Sequence, residues 1–390
     1  MVDYIKLEGS PKERGLQQAE QLKEKIKFAL DHVLRSEMFS EVTSKLIPLS
    51  VIKLALSFIG KKHTKKSLEK YVPHQHEKML AIAKGSKVGR FVYGLHFIEV
   101  MNGDPNFYRN PPKPAPPLMG CSQLFALPEA TANGEMYFAR NFDFPNILQP
   151  IQMIREEIPD NGYRNLNVSL YPMAGTHQGL NEKGLVIGYN YGRAWKENPL
   201  DYRMDGVPSM FIVQEALETC ATTEDAIEFF SKFPARPSGA HFGIMDKTGD
   251  ACVLETTATR HAIRRPVSGI LAHTNTYVSE ELKNANLPLD VRFKMDDMDF
   301  SPIESPIRRL MRENHLMSKA KGKITMDTLK EILCDHVDGK TGEKGPTDFT
   351  VCTHGHSAGT LGTYIINLRK LEILITDNHP CETEFECFSL

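Results

Sequence analysis

A pair of apolar segments joined by a turn limits the folds open to this chain more than any other feature of its sequence. The segments cover residues 117–127 and 136–144, and the turn between them, Thr131-Ala-Asn-Gly134, contains an Asn-Gly pair. Asn-Gly between two apolar runs is typical of a β-hairpin, because both residues tolerate the left-handed backbone of a tight turn. The sequence therefore predicts two antiparallel strands here.

The predicted hairpin gathers three side chains of chemical interest. Cys121 lies at the start of the first strand, and Arg140 and Asp143 lie near the end of the second. Antiparallel pairing carries both charged residues back toward Cys121. A guanidinium beside a thiol favours the thiolate, so the hairpin offers a nucleophile, a charge that activates it and a carboxylate. A buried structural cysteine is the alternative, and the hairpin alone does not decide between the two.

Composition excludes several classes of protein. The 390 residues suffice for one large domain or two average ones. A net charge of -2, from 47 basic and 49 acidic residues, argues against a general nucleic-acid or membrane-surface binder. The seven cysteines are odd in number and widely spaced, so no disulfide framework is expected. Without a signal-peptide pattern or an apolar run of ~18 residues, a cytoplasmic location is expected.

Helices are predicted to dominate the first hundred residues, and strands most of the remainder. The apolar spacing predicts helices at 10–35, 42–59, 67–84, 95–101, 210–220, 306–318 and 326–334. Strands are predicted at 166–171, 185–191, 240–245, 251–256, 261–263, 269–273, 360–368 and 371–376. Segregated blocks of this kind favour an α+β fold with antiparallel sheets.

A catalytic cysteine is usually activated by a neighbouring histidine that acts as its general base. His336, and the pair His354 and His356 near Cys352, lie close to other polar residues in the sequence. The segment 352–356 could also bind a metal, but no further Cys/His pair has structural-zinc spacing, and no metal is predicted. A catalytic and a structural role stay open for these histidines.

A second solution needs no histidine. Cleavage between Gly120 and Cys121 would give Cys121 a free α-amine, which titrates near ~7.7–8.0 and is suited to act as a base. Gly120 suits such a cut because glycine tolerates strained backbone, and it follows a proline-rich run at 111–117. Asn190 and Asn275, each near the end of a predicted strand, could donate to an oxyanion, although strand-end asparagines are more often structural.

Together these segments resemble the N-terminal nucleophile cysteine hydrolases, and among them the acyl-coenzyme A:6-aminopenicillanic acid acyltransferase-like group of peptidase family C45. Choloylglycine hydrolases, penicillin V acylases and acid ceramidase are wider relatives. The resemblance covers nearly the whole chain and implies a four-layer αββα sandwich of two antiparallel sheets. The segments that carry it are 7–15, 120–122, 139–143, 181–190, 274–275, 332–336, 352–354 and 359–363.

The resemblance also implies a role for each candidate residue. Cys121 would be the nucleophile, Arg140 would poise its thiolate and Asp143 would hold its amine. Asn190 would donate to the oxyanion, and Asn275 would orient the nucleophile or the substrate. The family also uses an arginine on a late helix, which matches Arg308 or Arg309. No cofactor is implied.

The function expected from this resemblance is a self-processing cysteine amidohydrolase that acts on a linear amide through a thioester. Residues 1–120 would be a helical N-terminal segment, as a propeptide or small subunit, and residues 121–390 the catalytic domain. The expected partner is a small-molecule amide, with no nucleic acid and no membrane insertion. The two fragments would stay associated, and homo-oligomerisation is left open.

Three alternatives remain at this stage. The first is transfer of the acyl group to an amine instead of water. The second is a non-catalytic protein that keeps the αββα fold, and it would not need cleavage at Gly120. The third is a papain-like protease, which would stay uncut and depend on His336 or His354.

Overall fold

Two β-sheets stacked face to face, with helices on both outer faces, make up the computed structural model. It describes residues 2–43, 47–104, 120–195, 201–295, 298–355 and 358–390. The strands are β1 (Asp3–Gly9), β2 (Gly120–Ala126), β3 (Tyr137–Pro145), β4 (Gln152–Pro159), β5 (Asn165–Leu170), β6 (Gln178–Asn181), β7 (Leu185–Tyr191), β8 (Ala240–Asp246), β9 (Ala251–Thr256), β10 (His261–Arg264), β11 (Ile270–His273), β12 (Phe293–Met295), β13 (Met298–Phe300), β14 (Ala358–Asn367), β15 (Glu372–Ile375) and β16 (Glu386–Ser389).

Helices precede the hairpin and recur later in the chain. They are α1 (Pro11–Gln21), α2 (Lys23–Leu34), α3 (Glu37–Val42), α4 (Leu49–Tyr71), α5 (Pro73–Gly85), α6 (Phe91–Asn102), α7 (Ser209–Thr219), α8 (Thr223–Lys232), α9 (Glu304–Ala320) and α10 (Met326–Leu333). No helix in the described ranges combines the length and apolar character of a membrane span.

The strands divide between two large sheets and one small ribbon. The eight-stranded sheet has the order β1-β4-β5-β6-β7-β8-β9-β10, and the six-stranded sheet has the order β11-β2-β3-β14-β15-β16. Strands β12 and β13 pair separately. The pairing is antiparallel except between β1 and β4, which run parallel. The predicted hairpin is therefore confirmed as β2 and β3, at the centre of the six-stranded sheet.

Three apolar clusters show how the layers stack. Phe125 and Phe138 of the six-stranded sheet share a cluster with Val168 of the eight-stranded sheet, between the two sheets. On the other face of the hairpin, Leu124 packs with Leu329 of α10. The third cluster joins helices α2 and α4 to α8 with the outer face of the eight-stranded sheet. The four-layer αββα sandwich implied by the resemblance is thus confirmed.

Several predicted boundaries were wrong. The helix predicted at 10–35 breaks at Leu22, whose backbone is not helical, and the helix predicted at 42–59 runs instead from Leu49, after Pro48, to Tyr71. Strand β4 was missed because Arg155, Glu156 and Glu157 interrupt its apolar pattern. All three are buried, so their charges are compensated by tertiary contacts that no local pattern reveals.

The N-terminal segment is part of the layered fold. Strand β1 lies alongside β4 from Asp3 opposite Met153 to Gly9 opposite Pro159. Helix α1 follows, capped by Ser10 with Glu13 in a capping box. The division at residue 120 stays a prediction, and the proline-rich run before it lies outside the described residues.

A buried ionic network fastens this segment to the eight-stranded sheet. Glu157 of β4 accepts from Lys78 at 2.8 Å and lies 2.7 Å from Arg155. Arg14 of α1 bonds to Glu157 and, at 2.9 Å, to Glu218. Burial alone would raise the pKa of Glu157, but the cations Arg155, Lys78 and Arg14 hold it well below its usual value. The ionised Glu157 carboxylate therefore pairs with Arg155, Lys78 and Arg14.

We expect Glu157→Gln to lower the free energy of unfolding by about 3–5 kcal/mol, because it leaves buried cations without their shared carboxylate. Urea unfolding followed by circular dichroism measures the change. Glu228→Gln is the control, since it removes an exposed pair with Lys232 and should change stability by less than about 1 kcal/mol. Equal stability of the two variants would contradict the assignment of this network.

Candidate active site

The register of the central hairpin places the predicted site residues. Cys121 lies opposite Phe142, and Gly120 lies opposite Asp143. Because side chains alternate along a strand, Cys121 and Arg140 point into the space between the sheets, whereas Asp143 points toward the helices. The hairpin brings both charged residues to Cys121, as predicted, but on opposite faces of the sheet.

The Cys121 thiol is buried and contacts a guanidinium. Arg140 Nη2 donates to Cys121 Sγ at 3.2 Å. Burial raises the pKa of the Cys121 thiol above its ordinary value, and Arg140 opposes that rise. The Arg140 charge acts in the direction expected from the sequence, but desolvation by burial outweighs it, so the pKa of the Cys121 thiol lies above its ordinary value.

Three further contacts fix the Arg140 side chain. Its Nε donates to Asn190 Oδ1 at 3.1 Å, its Nη1 lies 2.9 Å from His177 Nδ1, and its Nη2 also donates to the Tyr189 carbonyl. Burial, and then the Arg140 charge, hold the pKa of His177 well below its usual value. His177 is therefore a neutral acceptor that orients Arg140, a role that no sequence pattern indicated.

The backbone of Cys121 is held by the predicted asparagines. The Cys121 N–H donates to Asn275 Oδ1 at 2.6 Å. The Cys121 carbonyl accepts from Asn190 Nδ2 at 3.3 Å and from Arg309 Nη1 at 2.8 Å. Asn275 Nδ2 is anchored in turn on the Tyr191 carbonyl at 2.8 Å. Asn190 and Asn275 thus hold Cys121 on two sides, Asn190 at its carbonyl and Asn275 at its nitrogen.

The structure distinguishes the two candidate arginines of α9. Arg309 also donates to Ser122 Oγ at 2.9 Å and to Asn275 Oδ1 at 3.0 Å. Arg308 instead donates to Asp338 at 2.7 Å and lies over the Phe349 ring. Successive helical residues point about 100° apart, so only one of the two can face the hairpin. Arg309 contacts Cys121 and its neighbours and Arg308 does not, so the structure favours Arg309 in the choice that the sequence left open.

Asp143 lies beside the peptide bond that precedes the nucleophile. Its Oδ1 accepts from Thr360 Oγ1 at 2.7 Å, while its buried Oδ2 has no hydrogen-bond partner among the described residues. A Cβ at Gly120 would lie 2.7 Å from Arg309 Nη2 and 3.3 Å from Asp143 Oδ2, so a larger residue here would displace the Arg309 guanidinium from its hydrogen bonds. Burial raises the pKa of Asp143, and Arg309 opposes the rise.

A second buried carboxyl lies one turn beyond Arg309. Glu313 is fully buried, and burial raises its pKa to about 8, against the opposing effect of Arg309. Glu313 is therefore largely protonated at neutral pH. The acidic residues of α9 gave no sign of this, because its burial depends on the packing of α9 against the hairpin.

The histidines of the papain-like alternative lie elsewhere. His336 and His354 lie together, with ring centroids 5.0 Å apart, and His354 contacts Cys352 and Cys381. Within the described residues, no histidine nitrogen is hydrogen bonded to Cys121 Sγ. His356 lies outside the described residues.

Comparison with known proteins identifies the family. A sequence model of the family described as acyl-coenzyme A:6-aminopenicillanic acid acyl-transferase matches residues 130–345, more than half of the chain. The chain belongs to this acyltransferase family. The matched range contains Arg140, Asp143, Asn190, Asn275 and Arg309 and begins shortly after Cys121. The resemblance drawn from the sequence is therefore confirmed.

Individual relatives of this family member are distant. An uncharacterized protein of Archaeoglobus fulgidus is 24% identical over 273 residues, which cover 66% of this chain and 44% of that protein. The chain thus spans less than half the length of that relative.

Among solved structures, the Caenorhabditis elegans ortholog of N-acylethanolamine-hydrolyzing acid amidase has a TM-score of 0.44 at 13% identity, covering 69% of this chain and 100% of the other. Penicillin V acylase from Agrobacterium tumefaciens has a TM-score of 0.40 at 14% identity, covering 69% and 86%.

We expect Arg140→Ala to raise the thiol pKa of Cys121 by about 1–3, because the variant lacks the charge that favours the thiolate. Iodoacetamide labelling of Cys121 across a pH series, followed by peptide mass spectrometry, measures this. Arg308→Ala is the matched control and should leave the labelling profile unchanged. If Cys121 titrates identically in Arg140→Ala and the parent protein, Arg140 has another role, such as binding a substrate carboxylate.

Proposed function

We propose that this acyltransferase-family member is a self-processing cysteine amidohydrolase that cleaves a linear amide through a thioester on Cys121. One observation carries the proposal: both the nitrogen and the sulfur of Cys121 are held. Its nitrogen donates to Asn275 Oδ1 at 2.6 Å, and its Sγ accepts from Arg140 Nη2 at 3.2 Å. Because any buried backbone N–H needs an acceptor, the support lies in the combination: one residue carries a thiol beside a guanidinium and a nitrogen that a side chain already orients.

The first step of the proposal is cleavage of the chain itself. Cys121 Sγ attacks the Gly120 carbonyl carbon, the Gly120–Cys121 C–N bond breaks, and the thiol proton passes to the departing nitrogen. Water then hydrolyses the thioester, which leaves a Gly120 carboxylate, a Cys121 thiol and a free α-amine. Asn275 Oδ1 already accepts from that nitrogen, and Asp143 Oδ2, which lies 3.8 Å from Arg309 Nη1 but accepts no hydrogen bond among the described residues, would supply a second acceptor for the new ammonium.

The second step is turnover of substrate. The α-amine accepts the thiol proton, and the thiolate attacks the substrate amide carbon. The developing oxyanion accepts from Asn190 Nδ2, whose orientation is fixed because its Oδ1 accepts from Arg140. The C–N bond breaks, the leaving amine takes the proton from the α-ammonium, and water hydrolyses the thioester to the acid.

Transfer to an amine is the second candidate, and the name of the family favours it. An amine that replaces water in the last step would receive the acyl group and regenerate the Cys121 thiol. Turnover of one amide in the presence of increasing free amine separates the routes. Hydrolysis predicts acid as the main product, whereas transfer predicts the new amide.

The packing supports association of the two fragments after cleavage. Strand β1 pairs with β4 along its whole length, and Arg14 bonds to Glu157 and Glu218 across the proposed cut. We propose that residues 1–120 remain bound as a small subunit, with a small-molecule amide as substrate. A cytoplasmic location remains the expectation drawn from the sequence.

We expect expressed protein to split before Cys121 into fragments that end at Gly120 and begin at Cys121. Denaturing mass spectrometry of fresh protein tests this, and Cys121→Ala should stay uncut because it lacks the attacking sulfur. Cys387→Ala, which removes an exposed thiol, is the control and should be cut normally. An intact but active chain would exclude the α-amine as base.

We expect Asn190→Ala to lower kcat roughly 10²–10³-fold, because it removes an oxyanion donor. Thermal melts check the fold, and Asn133→Ala, at the exposed hairpin turn, is the control. His336→Ala and His354→Ala should affect activity much less, and mainly through stability. A folded, fully cleaved but inactive histidine variant beside an active Asn190→Ala would instead support the papain-like alternative.

A further inference from the structure

Four metal-ligating side chains converge at one edge of the six-stranded sheet. They are His336, which follows α10, Cys352 and His354, which lie in the loop before β14, and Cys381, which follows β15. One ligand atom of each lies within 4.8 Å of the others. Only Cys352 and His354 are neighbours in the sequence, because the set is complete only when three separate segments fold together.

Three of these ligand atoms have the spacing of a tetrahedral site. Cys352 Sγ and Cys381 Sγ are 3.8 Å apart, and each lies 3.3 Å from His354 Nε2. Tetrahedral zinc with ordinary Zn–S and Zn–N distances separates its ligand atoms by about 3.3–3.8 Å. The fourth ligand atom, from His336, lies within 4.8 Å of these three, so a small adjustment would complete the site.

Two further observations point to a metal. His336 Nε2 is buried and has no hydrogen-bond partner among the described residues, which is costly unless something else satisfies it. His354 presents Nε2 to the sulfurs, while its Nδ1 lies 4.0 Å from Glu382 Oε1. A carboxylate near the far nitrogen is typical of metal-bound histidine.

We propose that His336, Cys352, His354 and Cys381 bind one Zn²⁺ ion in a structural Cys₂His₂ site. Two thiolates and two imidazoles in a tetrahedral arrangement suit zinc, and four protein ligands leave no position for water or substrate. Binding releases the two thiol protons and involves no change of oxidation state. This inference does not depend on the proposed function.

The site would brace a loop that supports Asp143. Thr353, next to Cys352, donates from its backbone N–H to Thr360 Oγ1 at 2.9 Å. Thr360 Oγ1 donates in turn to Asp143 Oδ1 at 2.7 Å. A metal that joins Cys352 to Cys381 and His336 would therefore fix the segment on which the orientation of Asp143 depends.

A disulfide between Cys352 and Cys381 is the competing explanation for the paired thiols. It would use the two sulfurs but leave His336 Nε2 buried without a partner and give His354 no role. The two explanations differ in measurable ways, because a disulfide lowers the mass by two hydrogens and holds no metal.

Elemental analysis of tag-free, full-length protein, purified under reducing conditions, tests the site directly. We expect about one zinc ion per chain in the parent protein and at least about tenfold less in Cys352→Ser and Cys381→Ser. Cys387→Ser, in β16, is the matched cysteine control and should keep its zinc. Cys121→Ala should also keep it, which separates the metal site from the proposed nucleophile.

Reconstitution of the parent protein keeps the test valid if a ligand variant fails to fold. After chelator treatment, added Zn²⁺ should raise the melting temperature, and added Co²⁺ should give the thiolate-to-metal absorption of a tetrahedral cysteine site. The proposal is overturned if the parent protein binds no zinc after reconstitution. Intact mass showing a Cys352–Cys381 disulfide in reduced protein, or equal zinc in the parent and Cys352→Ser, would also overturn it.

Discussion

The buried guanidinium of Arg309 is the interaction on which the geometry of the site depends. It reaches from an outer helix to the hairpin and donates to the Cys121 carbonyl, Ser122 Oγ and Asn275 Oδ1. Because a buried cation requires its hydrogen bonds to be satisfied, these acceptors cannot move independently. The position of helix α9 therefore sets the position of Cys121 at the start of strand β2 and of Asn275, which holds the Cys121 nitrogen.

The buried charges around Cys121 suit a thiolate better than a thiol. Arg140 and Arg309 lie on opposite faces of the hairpin, with Asp143 as the acidic group 3.8 Å from Arg309. Glu313 adds no full negative charge at neutral pH, because burial raises its pKa to about 8. The uncut chain holds a neutral thiol in this positive environment, since desolvation dominates its pKa. Deprotonation of Cys121 to a thiolate would balance the net positive charge that Arg140, Arg309 and Asp143 carry together.

The contacts that follow from the pairing of the hairpin could be predicted from the sequence, whereas those that depend on tertiary packing could not. Antiparallel pairing of the two apolar segments places Arg140 and Asp143 near Cys121, and this could be predicted from the sequence. The connection itself is longer than a tight turn, because residues 127–136 include a short 3₁₀ helix at Pro128–Ala130. The choice between Arg308 and Arg309 could not be made, because it depends on the rotation of α9. His177 gave no local signal, because its role exists only through its contact with Arg140. The group of His336, Cys352, His354 and Cys381 could not be predicted for the same reason, since Cys381 is remote in sequence from the other three residues.

Gly120 is constrained in the intact chain by the same residues that would act in the proposed cleaved protein. Any side chain at this position would collide with Arg309 Nη2 and approach Asp143 Oδ2, so the residue before the proposed cut is constrained by the groups that would serve catalysis. Breaking the Gly120–Cys121 bond would free the carboxyl end of Gly120 to leave this space. In the proposed cleavage Gly120 would supply the carbonyl that Cys121 Sγ attacks, so self-cleavage would use the same nucleophile and break the same kind of C–N bond as the proposed turnover of an amide substrate.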